Sequence, residues 1–81
     1  MTKAEVMQRL QDLFDGIFLQ PVKVTEGLSA NDVAEWDSLL QITIVVTVEQ
    51  EFKVRFRIGE VEATKNVGQF ADLILKRMEV K

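Results

Sequence analysis

Cysteine, histidine and tyrosine are all absent from the 81 residues. Without cysteine there is no disulfide framework, no thiolate zinc site and no cysteine nucleophile. Without histidine the commonest general base and the commonest metal ligand are both missing. Chemistry is left to carboxylates, lysines, hydroxyls and the backbone, so an enzyme acting alone is not expected, and no catalytic residue or metal ligand is assigned. No apolar run approaches the length of about 18 residues that a membrane span needs. The start, Met1-Thr2-Lys3-Ala4-Glu5, has no apolar core and no cleavage-like site, so no signal peptide is expected and a cytoplasmic protein is the default.

Positive charge is missing from the middle. No Lys or Arg occurs from Val24 to Phe52, while Glu26, Asp32, Glu35, Asp37, Glu49 and Glu51 fall in that stretch. Basic residues resume at Lys53, Arg55 and Arg57. A nucleic-acid binder needs a basic face, and this centre has the opposite sign; a protein partner with a basic docking surface suits it better. Asp32, Glu35 and Asp37 loosely resemble a calcium site but lack the glycine and ligand series of a dedicated loop. The length allows one domain, residues 1–81. Such a domain buries only about 60% of its unfolded surface, so its stability is modest and it encloses no large cleft. Hydrophobic residues at 47% argue against disorder.

The first element is a helix. Thr2 and Glu5 have capping-box spacing, and Val6, Leu10, Leu13, Phe14, Ile17 and Phe18 recur at helical steps. Pro21 ends it near Leu19 or Gln20. Residues 20–37 read as a long loop pinned by Val22, Val24, Leu28 and Val33; loops of this length are usually functional. The last element is also a helix, capped by Asn66 with Gln69 three residues on. Its apolar stripe is Val67, Phe70, Ala71, Ile74, Leu75 and Met78, and Lys76, Arg77 and Lys81 stand at its C-terminal end.

Between them the local signals conflict. Residues 43–48 are all β-branched, at a cost of roughly 3 kcal/mol in a helix relative to alanine. Alternation continues through Phe52, Val54, Phe56 and Ile58, which is a hairpin pattern over residues 41–58. Against it, the turn would be Glu49-Gln50-Glu51, with nothing to supply a positive φ. Helical spacing also survives, with Leu39, Ile42, Val46 and Phe52 able to share one face and Thr43, Thr47 and Gln50 another. Local physics leaves helix and hairpin both open.

Asp37-Ser38-Leu39 sits where that segment begins. Asp37 and Ser38 are both good N-caps, and Ser38 with Gln41 has capping-box spacing, so a plain helix start accounts for the tripeptide. If a helix does begin here, Ser38 also lies among free backbone N–H groups at the positive end of a dipole, which favours a phosphate.

The chain resembles the acyl carrier protein family along nearly its whole length. The matching features are a helix, a long loop, Glu35-Trp36-Asp37-Ser38-Leu39, and an apolar helix ending Glu49-Gln50-Glu51-Phe52. Val54 and Phe56 follow, then the acidic segment Ile58-Gly59-Glu60-Val61-Glu62 and a closing helix with Val67-Gly68. The wording around the serine is nearest to stand-alone carriers of specialised pathways. The resemblance implies an all-α, antiparallel four-helix bundle with a short third helix near residues 59–64. It implies covalent 4'-phosphopantetheine on Ser38, transferred from coenzyme A, with Asp37 and Leu39 flanking the attachment point. The tip of that arm then carries an acyl group of fatty-acid, polyketide or specialised biosynthesis as a thioester.

The partners so implied are a phosphopantetheinyl transferase, an acyl-activating ligase, and condensing or acyl-transfer enzymes. The carrier would be a monomer that binds neither nucleic acid nor membrane. Trp36, Leu40, Thr43, Glu49 and Glu60 are the candidate partner contacts, although packing the loop against the bundle is the more ordinary role for Trp36 and a solvated face the more ordinary one for the acids. An aminoacyl or peptidyl carrier and an unmodified helical interaction module of the same fold are the alternatives. Three features depart from the family. Leu40, Gln41 and Thr43 stand where acids are common, so docking is expected to be more apolar. Lys53 follows Phe52 where glycine is frequent, which is costly if that residue is left-handed. The β-branched run is heavy for the helix it must form.

Overall fold

In a computed structural model of the chain, residues 1–57 and 59–79 are described. The expected acidic segment therefore lacks Ile58, and the expected cation Lys81 also lies outside the described residues. Three α-helices form, α1 (Lys3–Ile17), α2 (Ser38–Phe52) and α3 (Val67–Glu79), with a 3-10 turn at Ala30–Asp32. Among the described residues there is no strand. α1 packs against both α2 and α3.

The capping box at the start of α1 closes in both directions. The Glu5 N–H donates to Thr2 Oγ1 at 3.2 Å and the Thr2 N–H donates to Glu5 Oε1 at 2.9 Å. The backbone bond from Thr2, followed by its side-chain bond, holds the Glu5 carboxyl below the ordinary carboxylate range. Val6, Leu10 and Phe14 line the buried face. The helix ends at Ile17, earlier than Pro21 alone suggested, because Phe18 leaves the helical region (φ -84, ψ 141) while its ring stays buried. The N–H groups of Leu19 and Gln20 then donate to the two carboxylate oxygens of Glu35, at 2.8 and 3.2 Å. Those bonds fasten the far end of the long loop to the exit of α1.

The loop is pinned as expected by half-buried Val22, Val24, Leu28 and Val33, and by one clamp that periodicity does not reveal. The Gln11 side chain donates to the Val22 carbonyl and accepts from the Val24 N–H, both at 2.8 Å. It thereby satisfies an extended stretch of backbone that has no neighbouring strand.

α2 answers the hairpin question. Residues 43–48 are helical throughout, and Ile44, Val48 and Phe52 enter the core at four-residue steps. Burial of this row offsets the propensity deficit of the β-branched run. The facial grouping differs from the sequence expectation: Leu39, Ile42 and Val46 do share a face, but it is the exposed one, and Phe52 lies on the opposite, buried row. α2 stops at Lys53, whose backbone is left-handed (φ 56, ψ 47), as the departure at that position anticipated. The Val54 N–H reaches back to the Glu49 carbonyl at 3.1 Å, the long bond of a Schellman motif, and Val54 is buried.

A single helical turn stands at the place of the expected third helix. The Ala63 N–H donates to the Gly59 carbonyl and the Thr64 N–H to the Val61 carbonyl, at 3.1 and 3.0 Å. Val61 seals it onto the core. α3 starts with the cap bond from the Gln69 N–H to Asn66 Oδ1 at 2.8 Å and buries Val67, Phe70, Ala71 and Ile74.

Candidate functional site

At the junction of loop and α2 each residue of the Glu35–Leu39 motif has a separate geometric task. Glu35 holds the exit of α1. Trp36 is half-buried and stands edge-on to Phe14 (centroids 5.4 Å, 90°) and Phe18 (5.7 Å, 68°). Its indole N–H donates to Gln41 Oε1 at 2.7 Å, so the ring packs the loop onto the bundle and also ties it to the first turn of α2. Asp37 is the N-cap: its Oδ1 accepts from the Leu40 N–H at 2.8 Å and its carbonyl from the Gln41 N–H at 2.9 Å.

Ser38 is thereby relieved of capping. The cap is one residue earlier, and Gln41, its potential capping-box partner, is engaged by Trp36. Ser38 is the first helical residue and is exposed. Among the described residues no group hydrogen-bonds its hydroxyl, and the N–H groups of Ser38 and Leu39 have no protein acceptor. An exposed hydroxyl beside free N–H donors at the positive end of a 15-residue helix fits a phosphodiester. The neighbouring Asp37 carboxylate opposes a phosphate by charge, but its cap bond turns one oxygen toward Leu40.

Ser38 opens onto a groove of about 750 Å³ that runs between α2, the turn at 59–64 and the start of α3. Leu28, Trp36, Ile44, Val61, Val67 and Phe70 supply apolar walls, and Ser29, Asn31, Thr64 and Lys65 supply polar edges. The floor is already sealed, since Ile44, Val67 and Phe70 are buried, so the groove is an open trough at the surface.

The candidate partner residues divide. Thr43 is exposed, its hydroxyl donating back to the Leu39 carbonyl at 3.3 Å. Trp36, Leu40, Glu49 and Glu60 are instead engaged within the fold. Leu40 packs on the core. Glu49 accepts from the Phe56 N–H at 2.9 Å. Glu60 accepts from the Arg57 N–H and pairs with Arg77, and the Arg77 guanidinium, helped by that N–H, holds its carboxyl below the ordinary range. These acids brace the segment after α2 rather than standing as a solvated face. Spacing alone missed Ile42 and Val46 as surface residues, although both belong to the Leu39 face. Asp32, Glu35 and Asp37 are likewise engaged with separate backbone donors, Asp32 with the Ser29 N–H. Among the described residues no three acidic side chains gather as a metal site.

The chain matches no protein-family model and no curated protein. Its structure is similar to the solution NMR structure of a holo acyl carrier protein from Geobacter metallireducens. The TM-score is 0.76 and the identity 33%, over 96% of this chain and 86% of that one. Likeness of this extent joins fold and sequence in one finding, and on that basis the chain belongs to the acyl carrier protein family.

Proposed function

We propose that this protein carries acyl groups as thioesters on a 4'-phosphopantetheine arm attached to Ser38 and presents them to partner enzymes. The observation that carries the reading is the exposed Ser38 hydroxyl, free of capping, beside unpaired N–H donors in the first turn of α2. The arm, once attached, supplies the thiol that this cysteine-free chain lacks. Asp37 fixes the helix start so that the Ser38 oxygen meets solvent, and the free N–H groups of Ser38 and Leu39 stabilise the phosphodiester charge. Trp36 holds the loop against the bundle beside the attachment point. The groove beside Ser38 offers apolar surface to the arm or to a short cargo. A carrier of this kind positions its substrate while the catalytic groups reside in partners, which agrees with a chain that has no histidine, cysteine or tyrosine.

The partners of this reading are a phosphopantetheinyl transferase, an acyl-activating ligase, and condensing or acyl-transfer enzymes in the cytoplasm. Intact-mass measurement after incubation with coenzyme A and a phosphopantetheinyl transferase tests it. Wild type gains the mass of one phosphopantetheinyl group and Ser38→Ala gains none. An unmodified wild type, or an equal gain on Ser38→Ala, rejects it in favour of an unmodified helical module.

A further inference from the structure

The stretch that follows α2 gathers cations on one side. Lys53, Arg55 and Arg57 are three of the ten Lys and Arg residues in a chain whose net charge is -3. Burial alternates along it. Lys53, Arg55 and Arg57 are exposed, Val54 is buried, and Phe56 is half-buried against Phe70 with ring centroids 5.7 Å apart. Period two marks extended backbone, so Arg55 and Arg57 share the outer face and Lys53 stands at its head. The acids close by are engaged elsewhere: Glu49 with the Phe56 N–H, Glu51 with Arg9 at 3.0 Å, and Glu60 with Arg77. Among the described residues no carboxylate forms an ion pair with Lys53, Arg55 or Arg57. The dipole at the end of α2 accounts for a cation at Lys53, but not for Arg55 and Arg57 beyond it.

The backbone of the stretch is bonded on its inner edge and open on its outer one. The Val54 N–H donates to the Glu49 carbonyl at 3.1 Å and the Phe56 N–H to Glu49 Oε2 at 2.9 Å. Successive N–H groups of an extended chain point to opposite edges, so that of Arg55 points away from Glu49. Among the described residues neither the Arg55 N–H nor the Arg55 carbonyl has a protein partner. Together they are the pair that one residue of an antiparallel neighbour engages with both its hydrogen bonds. The next N–H on that edge, of Arg57, already donates to a carboxylate, Glu60 Oε1 at 2.6 Å. We infer that residues 53–57 are a docking edge for an acidic, extended segment of a partner protein, with carboxylates at alternate positions facing Arg55 and Arg57. Lys53 is about 22 Å from Ser38 by helical rise, so this partner leaves Ser38 open, and the inference is independent of the carrier reading. A lipid surface fits less well, since none of the exposed large hydrophobic side chains lies in this stretch to enter a bilayer. A phosphate backbone fits less well, since three cations on a chain of net charge -3 neutralise little of it. Neither surface makes use of alternate spacing or of an open backbone pair.

Titration of the isotope-labelled full chain with a blocked Glu-Thr-Glu-Thr-Glu peptide, followed by amide correlation spectra, tests it. The comparators are Glu-Glu-Glu-Thr-Thr, of the same composition, and vesicles of phosphatidylglycerol and phosphatidylcholine. Shifts are expected to concentrate at residues 53–57, with the Arg55 amide moving downfield and the amides around Ser38 unmoved. Affinity is expected to fall about tenfold or more in Arg55→Glu with Arg57→Glu, and likewise between about 50 mM and about 500 mM NaCl. The comparator peptide is expected to bind about threefold or more weakly, because its acids alternate across both faces of a strand. Both arginines are exposed, and circular dichroism confirms that the double variant stays folded. Equal binding of the two peptides, or an absence of shifts at residues 53–57, overturns the inference. Vesicles that shift these amides where the peptide does not overturn it in favour of a lipid surface. Loading of Ser38 with phosphopantetheine is read on the same samples: loading without peptide binding overturns this inference alone, and peptide binding without loading rejects the carrier reading alone.

Discussion

Gly68→Ala should destabilise the protein even though alanine is the better helix former. A Cβ at Gly68 would lie 2.9 Å from Glu26 Cβ, 3.0 Å from the Glu26 carbonyl oxygen and 3.2 Å from Glu26 Cα. Two of those atoms are backbone, so no side-chain rotation relieves the contact. The Glu26 backbone is also held in place: the Gly68 N–H donates to the Glu26 carbonyl at 2.9 Å and the Val67 N–H to the Leu28 carbonyl at 2.8 Å. These two bonds satisfy N–H groups of the first turn of α3, so displacing the loop leaves helix-end donors unpaired. Overpacking of this kind costs about 1–3 kcal/mol, and a weakened hydrogen bond adds about 1 kcal/mol. Against that, replacing glycine in a helix gains at most about 1 kcal/mol. The net expectation is a loss of about 1–3 kcal/mol, which in a domain of this size lowers Tm by about 4–8 °C for each kcal/mol. Thermal and urea unfolding followed by far-UV circular dichroism measure it. Gly16→Ala is the control, because a methyl group added there in α1 would find nothing within 4 Å, and the propensity gain should appear alone. If Gly68→Ala equals or exceeds wild type in stability, the close approach of α3 to the loop is not what glycine is there to permit.

Two further outcomes follow from the segment after α2. Lys53→Gly should stabilise by about 0.5–1 kcal/mol, because a side chain at φ 56 bears a left-handed penalty that glycine does not; urea midpoints at constant m-value report it, and an unchanged or lower midpoint refutes the strain. Glu60→Gln should flatten the acid limb of the stability curve. The Glu60 carboxyl is depressed in the folded chain by Arg77 and the Arg57 N–H, so its contribution is present above the unfolded carboxylate value and is lost as pH falls through the lower folded value. Tm measured across the carboxylate range should therefore decline less steeply in the variant, and parallel curves would falsify the assignment.

How much of this was legible in the sequence depends on whether local and tertiary forces agreed. In α1 and α3 they did: Thr2 with Glu5, and Asn66 with Gln69, mark starts that the structure keeps, and the apolar rows they introduce are the buried ones. The end of α1 was missed because its exit is held by Glu35, a residue far along the chain that local punctuation cannot register. In α2 the forces disagreed. A helix apolar on two sides has no single stripe to find by period, and alternation of Ile44, Val46 and Val48 imitates a strand. Only packing separates them, with Ile44 and Val48 in the core and Val46 in solvent. The Gln11 clamp and the Glu49–Phe56 bond left no signature either, since each joins a side chain to backbone at a spacing no motif prescribes.

The proposed attachment point, Ser38, raises the same question at the scale of one residue. Asp37 and Ser38 are interchangeable as caps on paper, and a serine that caps would offer its oxygen to the N3 amide and not to a second enzyme. The structure distributes the tasks differently. Asp37 takes the amide, Trp36 takes Gln41, and Glu35 takes the N–H groups of Leu19 and Gln20, so the three residues before Ser38 and its capping-box partner are each bound elsewhere. Availability of the hydroxyl is thus produced by its surroundings, and it can be removed from there. A substitution at Asp37 that forced Ser38 to become the cap would hide the same oxygen without touching it. On the carrier reading, the chemistry of position 38 therefore belongs to the junction as a whole, in which Glu35, Trp36 and Asp37 decide whether the hydroxyl is free to take an arm.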